Sequence, residues 1–171
     1  GTAQRVLSDL STLERVEIEE NVPAGWTLTD AQCTGVTNDN WVRDGNSLKP
    51  LLAPGDNATC TFTNTKSVNL TIVKETVGGD ATFDFGSTVN SDVDLPDFSL
   101  TTQGGTAQTT LTDLPAGFLE IEEIAPSGWK LTGIECVGVT GDNWSTLFPR
   151  AGVDASPGDD VTCTFTNTND P

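Results

Sequence analysis

The chain has 171 residues, enough for one domain or two small ones, with 8 basic against 25 acidic residues, a net charge of −17, and no histidine, methionine or tyrosine. So acidic a surface repels nucleic acid and anionic lipid, and the apolar runs fall far short of the roughly 20 residues that cross a bilayer, which excludes both kinds of partner for this segment. Without histidine there is no Ser–His or Cys–His nucleophile, no glycine-rich phosphate loop is present, and neither a cofactor nor a resident metal is implied.

In chain order, no charged-then-apolar signal opens the sequence, so Gly1 reads as a processed or trimmed end. Residues 2–10 ("TAQRVLSDL") have a second version at 106–114 ("TAQTTLTDL"). Residues 22–41 ("VPAGWTLTDAQCTGVTNDNW") recur at 125–144 as "APSGWKLTGIECVGVTGDNW", and residues 53–65 ("APGDNATCTFTNT") recur at 156–168, each pair 103 residues apart. Two copies of one module are therefore predicted, over residues 1–66 and 67–171. The first lacks any counterpart of residues 67–105, so its opening strands are missing. Three arrangements account for this: a fragment of a longer tandem array, strands donated by a neighbouring chain, or a degenerate copy. The fragment is the leading expectation, and donation is the alternative.

Within the second copy, "VNLTIVK" at 68–74, "FDF" at 83–85, "FSLTTQ" at 98–103, "AQTTLTDL" at 107–114, "LEIEE" at 119–123, "KLTGIECVGV" at 130–139 and "VTCTFTN" at 161–167 are rich in valine, threonine, isoleucine and phenylalanine and are bounded by glycine, proline and aspartate. They predict an all-β fold, tandem antiparallel β-sandwiches with about seven strands per complete module and no helix of useful length. Successive side chains of a strand point to opposite faces, so parity assigns the interior. Val68, Leu70 and Ile72 share their face with Lys74; Leu119 and Ile121 with Glu123; Val161, Cys163 and Phe165 with Asn167. A lysine, a glutamate and an asparagine thus close three otherwise apolar strand faces. In the first copy Val16 and Ile18 precede Glu20 in the same way, and Asn64 takes the place of Asn167.

"TIVKE", "LEIEEIAPSGW" and "TFTNT" resemble the lysine, E-x-x-A-P-x-G-Y/W and F-x-N signatures of the prealbumin-like, collagen-adhesin B-type (SpaA-like pilin) repeat domains of bacterial surface proteins. The resemblance covers residues 67–168 and, without its start, 1–66. It implies a small prealbumin-like (transthyretin-like or Ig-like) β-sandwich strung in tandem along stalks. In many members a lysine and an asparagine join in a spontaneous isopeptide bond assisted by a glutamate, which carries over to Lys74, Asn167 and a glutamate at 122 or 123. Spacing from the proline selects Glu122, whereas parity selects Glu123; parity is the stronger argument, because a loop can lose a residue while a strand cannot change faces. Glu20 and Asn64 form the incomplete equivalent in the first copy.

The chemistry is accessible to these residue types. Burial lowers a lysine's pKa and frees its amine, and raises a carboxyl's pKa and keeps it protonated. Such an acid can donate to the asparagine oxygen and shuttle protons while ammonia departs. Taken singly, each residue has a plainer role: a lysine reaching past the sheet end, an asparagine opening a turn, a glutamate pairing with the lysine. Cys33 and Cys60 stand 27 residues apart, as do Cys136 and Cys163, with no histidine or C-x-x-C pair for a metal, so disulfides Cys33–Cys60 and Cys136–Cys163 are expected, each joining the sixth strand to the last. That implies an extracellular, cell-surface setting.

Aspartates 39, 44, 56, 142, 159 and 160 lack calcium-loop spacing and read as solvated loop charge. Trp26, Trp129, Trp41 and Trp144 read as caps on the sandwich ends. Asn57, Asn69 and Asn143 begin N-x-S/T sequons. The adjacent Glu122 and Glu123 face opposite ways and make no acid/base pair over one substrate. The expectation is a structural, non-enzymatic module of a stalk, pilus or filament, whose partners are adjacent repeats or copies of itself. The alternative is an adhesin-type module that binds carbohydrate or a host protein through the tryptophan loops.

Overall fold

The computed structural model describes residues 1–8, 10, 15–89 and 93–169, with the side chains of residues 88, 89, 93 and 94 excepted. The chain divides into two compact units, Gly1–Pro23 with Leu28–Asn64, and Ala24–Thr27 with Thr65–Pro171. The first unit contains β1 (Ile18–Glu19), β2 (Trp26–Thr34), β3 (Trp41–Asp44), β4 (Ser47–Pro50) and β5 (Thr59–Lys66). The second contains β6 (Val68–Val77), β7 (Thr82–Val89), β8 (Val93–Thr101), β9 (Thr106–Leu114), β10 (Gly117–Ile124), β11 (Trp129–Val137), β12 (Trp144–Leu147), β13 (Arg150–Ala155) and β14 (Asp160–Asn169). The only helical turns described are the short 3₁₀ segments Thr37–Asp39 and Thr140–Asp142.

In the second unit a five-stranded sheet, ordered β12-β13-β10-β7-β8, faces a four-stranded sheet, ordered β11-β14-β6-β9. The period-two pattern explains the sandwich: Val68, Leu70 and Ile72 of β6, Cys163 and Phe165 of β14, Phe83 and Phe85 of β7, and Leu119 and Ile121 of β10 meet as one buried core. Phe85 lies edge-on to Phe165, 5.4 Å between centroids.

Two features depart from the sequence expectation. Nine strands stand where about seven were expected, because residues 144–155, to which the sequence pattern assigns no strand, form the hairpin β12–β13. The tract is interrupted by Pro149 and Gly152 and is too short to display alternation. The sandwich is also not wholly antiparallel: β6 and β14, the first and last strands of the unit, pair in parallel from Asn69↔Asp160 to Val77↔Thr168. Pairing between strands some ninety residues apart leaves no local signature.

The first unit repeats part of this plan. Its sheet β1-β4-β3 mirrors β10-β13-β12, and its pair β2-β5 mirrors β11-β14. No counterpart of β6, β7 or β8 is found among the described residues, and residues 1–8, which align with β9, form no strand. Its core is correspondingly small, formed of Ala31, Cys33, Val36 and Leu48 with half-buried residues such as Trp41 and Phe62 packed against it.

Candidate crosslink site

β6, β10 and β14 each end their apolar faces on a polar residue, and all three residues are buried: Lys74 at 0%, Glu123 at 2% and Asn167 at 0% exposure. The parallel register sets Lys74 opposite Phe165, so Asn167, two residues on and facing the same way, lies within reach of the lysine chain. Glu123 comes from the opposite sheet. Lys74 Nζ donates to Asn167 Oδ1 at 2.7 Å, and Asn167 Nδ2 donates to Glu123 Oε1 at 2.6 Å. Glu123 Oε2 is 3.4 Å from Nζ, close enough for ion pairing but without a hydrogen bond.

The remaining partners of Nζ are the carbonyls of Phe165 at 2.7 Å and Glu75 at 2.8 Å, and the Phe83 ring at 4.3 Å. Removal from water lowers the Lys74 pKa despite the opposing pull of Glu123. The same desolvation raises the Glu123 pKa against the effect of Lys74 and Asn167. An amine released toward its neutral form, an acid held toward its protonated form and a carboxamide are thus in hydrogen-bond contact in a dry pocket. That constellation can close an amide between Lys74 and Asn167 with loss of ammonia. Glu123 faces the amide nitrogen, not the oxygen that sequence reasoning assigned it, and so stands where a proton must reach the leaving group. Glu122 points outward and pairs with Arg150 at 2.9 Å. Sequence reasoning did not identify Phe83 as the floor of the site, although its alternation with Phe85 was visible.

In the first unit Asn64 Nδ2 donates to Glu20 Oε1 at 2.6 Å, the same geometry as its counterpart. Asn64 Oδ1 and Glu20 Oε2, both shielded from solvent, have no hydrogen-bond partner among the described residues. Lys66 lies on the strand that carries Asn64, two residues further on.

The four cysteines form Cys33–Cys60 and Cys136–Cys163, with Cα atoms 4.0 and 4.1 Å apart. Cys136 and Cys163 face each other directly across β11 and β14. β14 is therefore held by a disulfide on one flank and contacts Lys74 on the other. Asp56 and Asp159 are more than solvated loop charge. Asp159 accepts from Thr140 N, Thr140 Oγ1 and Ser156 N at 3.0, 2.6 and 2.9 Å. Asp56 does the same for Thr37 and Ala53 in the first unit. Trp41 and Trp144 pack against their cores, half-buried. Among the described residues no cluster of three or more histidine, cysteine or acidic side chains forms a metal site, and no helix is long and apolar enough to cross a membrane.

A family profile described as "prealbumin-like fold domain" matches residues 1–66 and 70–169. Among solved structures, the chain is similar to a mutant form of the major pilin of Streptococcus pyogenes at 15% identity and TM-score 0.41, covering 95% of this chain and 73% of that one. It is similar to the T-13 major pilin of the same organism at 14% identity and TM-score 0.42, covering 94% and 69%. No curated protein sequence matches.

Proposed function

The chain belongs to the prealbumin-like fold domain family, and from that premise we propose that it is a structural, load-bearing module of an extracellular tandem-repeat stalk, pilus or filament, which acts on no substrate. The observation that carries this reading is the buried contact of Lys74 Nζ with Asn167 Oδ1, with Glu123 at the amide nitrogen. In this reading the amine attacks the carboxamide carbon, Glu123 relays a proton to the departing nitrogen, and ammonia leaves once per molecule. Two disulfides support an oxidising location outside the cell. Neighbouring repeats or other copies of the chain are the partners that a tandem stalk requires.

Force enters the second unit at the start of β6 and leaves at the end of β14. With a bond between Lys74 and Asn167, tension passes from one strand to the other through side chains and bypasses everything between. Single-molecule stretching of the reduced protein tests this. The second unit should show no unfolding step, whereas Lys74→Ala should release the 93 residues of separation, roughly 300 Å of contour. A full-length unfolding step in the unsubstituted protein would end the load-bearing reading.

A further inference from the structure

Parity turns Phe118, Gly152 and Asp154 to the outer face of the five-stranded sheet of the second unit, because their neighbours Leu119, Val153 and Ala155 are buried in the core. On that face Asn143, Asp154 and Phe118 form one row across β12, β13 and β10, and Ser145, Gly152 and Glu120 form the next. Gly152 leaves a gap in the second row. The Phe118 ring reaches over it, so that a Cβ on residue 152 would stand 2.9 Å from Phe118 Cζ. With Trp144 on the edge strand, these side chains line an open recess of about 370 Å³, within the size range of small-molecule sites.

The first unit has the same place filled. The offset of 103 residues sets Arg15 against Phe118, Val42 against Ser145, Lys49 against Gly152 and Leu51 against Asp154, while Asn40 and Trp41 match Asn143 and Trp144. Arg15 spans the position, donating to the Lys49 carbonyl at 2.7 Å and to Asn40 Oδ1 at 3.2 Å. In the second unit a ring that is 39% exposed replaces the guanidinium, and Asn143 Nδ2 donates to Asp154 Oδ2 at 2.9 Å. The strand pairing is the same in both units, so the framework does not demand these four differences. Together they remove two long cationic chains and surround the cleared floor with a ring, a hydroxyl and a carboxylate.

We propose that this recess is a saccharide-binding site that takes a neutral pyranose against Phe118. A pyranose has a C–H face that buries against an aromatic ring, and hydroxyls that both donate and accept. The Asn143–Asp154 bond uses one amide hydrogen and one carboxylate oxygen. The second amide hydrogen, Asn143 Oδ1, Asp154 Oδ1 and the Ser145 hydroxyl lie outside that bond and supply donors and acceptors together. A lysine side chain would use the acceptors alone, so the mixed set favours a sugar. Asp154, Glu120 on the same face and the net charge of −17 disfavour sialylated, uronic or sulfated sugars. The recess is on the outer face and the crosslink site is inside the sandwich, so the two readings fail separately.

The test is to screen the 171-residue protein on an array of neutral, sialylated and sulfated oligosaccharides, and to titrate the isotope-labelled protein with the strongest neutral binder by NMR. Neutral glycans should bind in preference to anionic ones, with saturable shifts centred on the amides of Phe118, Ser145, Gly152 and Asp154. Phe118→Ala and, separately, Asp154→Ala should each weaken binding by about tenfold or more at an unchanged melting temperature. Phe118→Arg combined with Gly152→Lys, which restores the side chains of the first unit, should abolish it. Absence of any neutral binder, shifts centred elsewhere, preference for the anionic glycans, or full binding by the doubly substituted protein would each overturn the inference. Shifts at these four amides with trilysine and none with sugars would overturn it in favour of a cation site.

Discussion

At the scale of single residues, the second unit depends on burying a lysine, a glutamate and an asparagine together. Parity along three strands made those residues legible, because a side chain's face is fixed by counting in twos. The Phe83 floor and the approach of Glu123 to the amide nitrogen were not legible, since both depend on how the two sheets face each other. The pair also has a calculable pH behaviour once the crosslink is blocked by Asn167→Ala. Glu123 has a raised pKa in the fold, so its protonated form contributes stability below the ordinary carboxyl range. That contribution is lost as pH rises through the raised value. Lys74, lowered in the fold, regains its contribution only toward alkaline pH. Melting of Asn167→Ala should therefore fall relative to Asn167→Ala/Glu123→Gln as pH rises from acid toward neutral. A constant difference between the two variants across that range would contradict the assignment.

At the scale of elements, the parallel pairing of the first and last strands sets how a pull on the two ends of the second unit would be carried. Pulling β6 from its start and β14 from its end loads their hydrogen bonds together in shear rather than one by one. Disulfides between β2 and β5 and between β11 and β14 each close a loop of 27-residue separation, worth about 3–4 kcal/mol in the chain-entropy account. The turn after β11 is equally constrained: Gly138 has φ +81°, and a Cβ there would collide with the Asp160 carbonyl. Gly138→Ala should cost about 2 kcal/mol or more in denaturant unfolding, combining a left-handed backbone penalty with displacement of β14. An unchanged midpoint would show that the turn can relax. Seven of the nine strands of this unit were legible because alternation runs through them. β12 and β13 were not, because four to six residues broken by proline and glycine carry too little pattern.

At the scale of the whole chain, a 103-residue repeat predicts two modules of unequal completeness, and the cores differ in that sense. Phe165 and Cys163 are fully buried, while their counterparts Phe62 and Cys60 are only half-buried. The first unit has fewer strands and a smaller apolar core, so more of its stability rests on its disulfide. Calorimetry should show it melting first, and reductant should lower or abolish that transition while leaving a distinct higher one. A single transition insensitive to reductant would contradict this partition.

The central claim is that Lys74 and Asn167 share a covalent bond, and intact mass of the fully reduced, denatured protein tests it most directly. The account predicts a mass one ammonia below that of the plain sequence, with a branched peptide joining residues 74 and 167 after proteolysis. A mass equal to the plain sequence would contradict it, leaving two disulfide-stapled units with a buried ion pair in place of the strut.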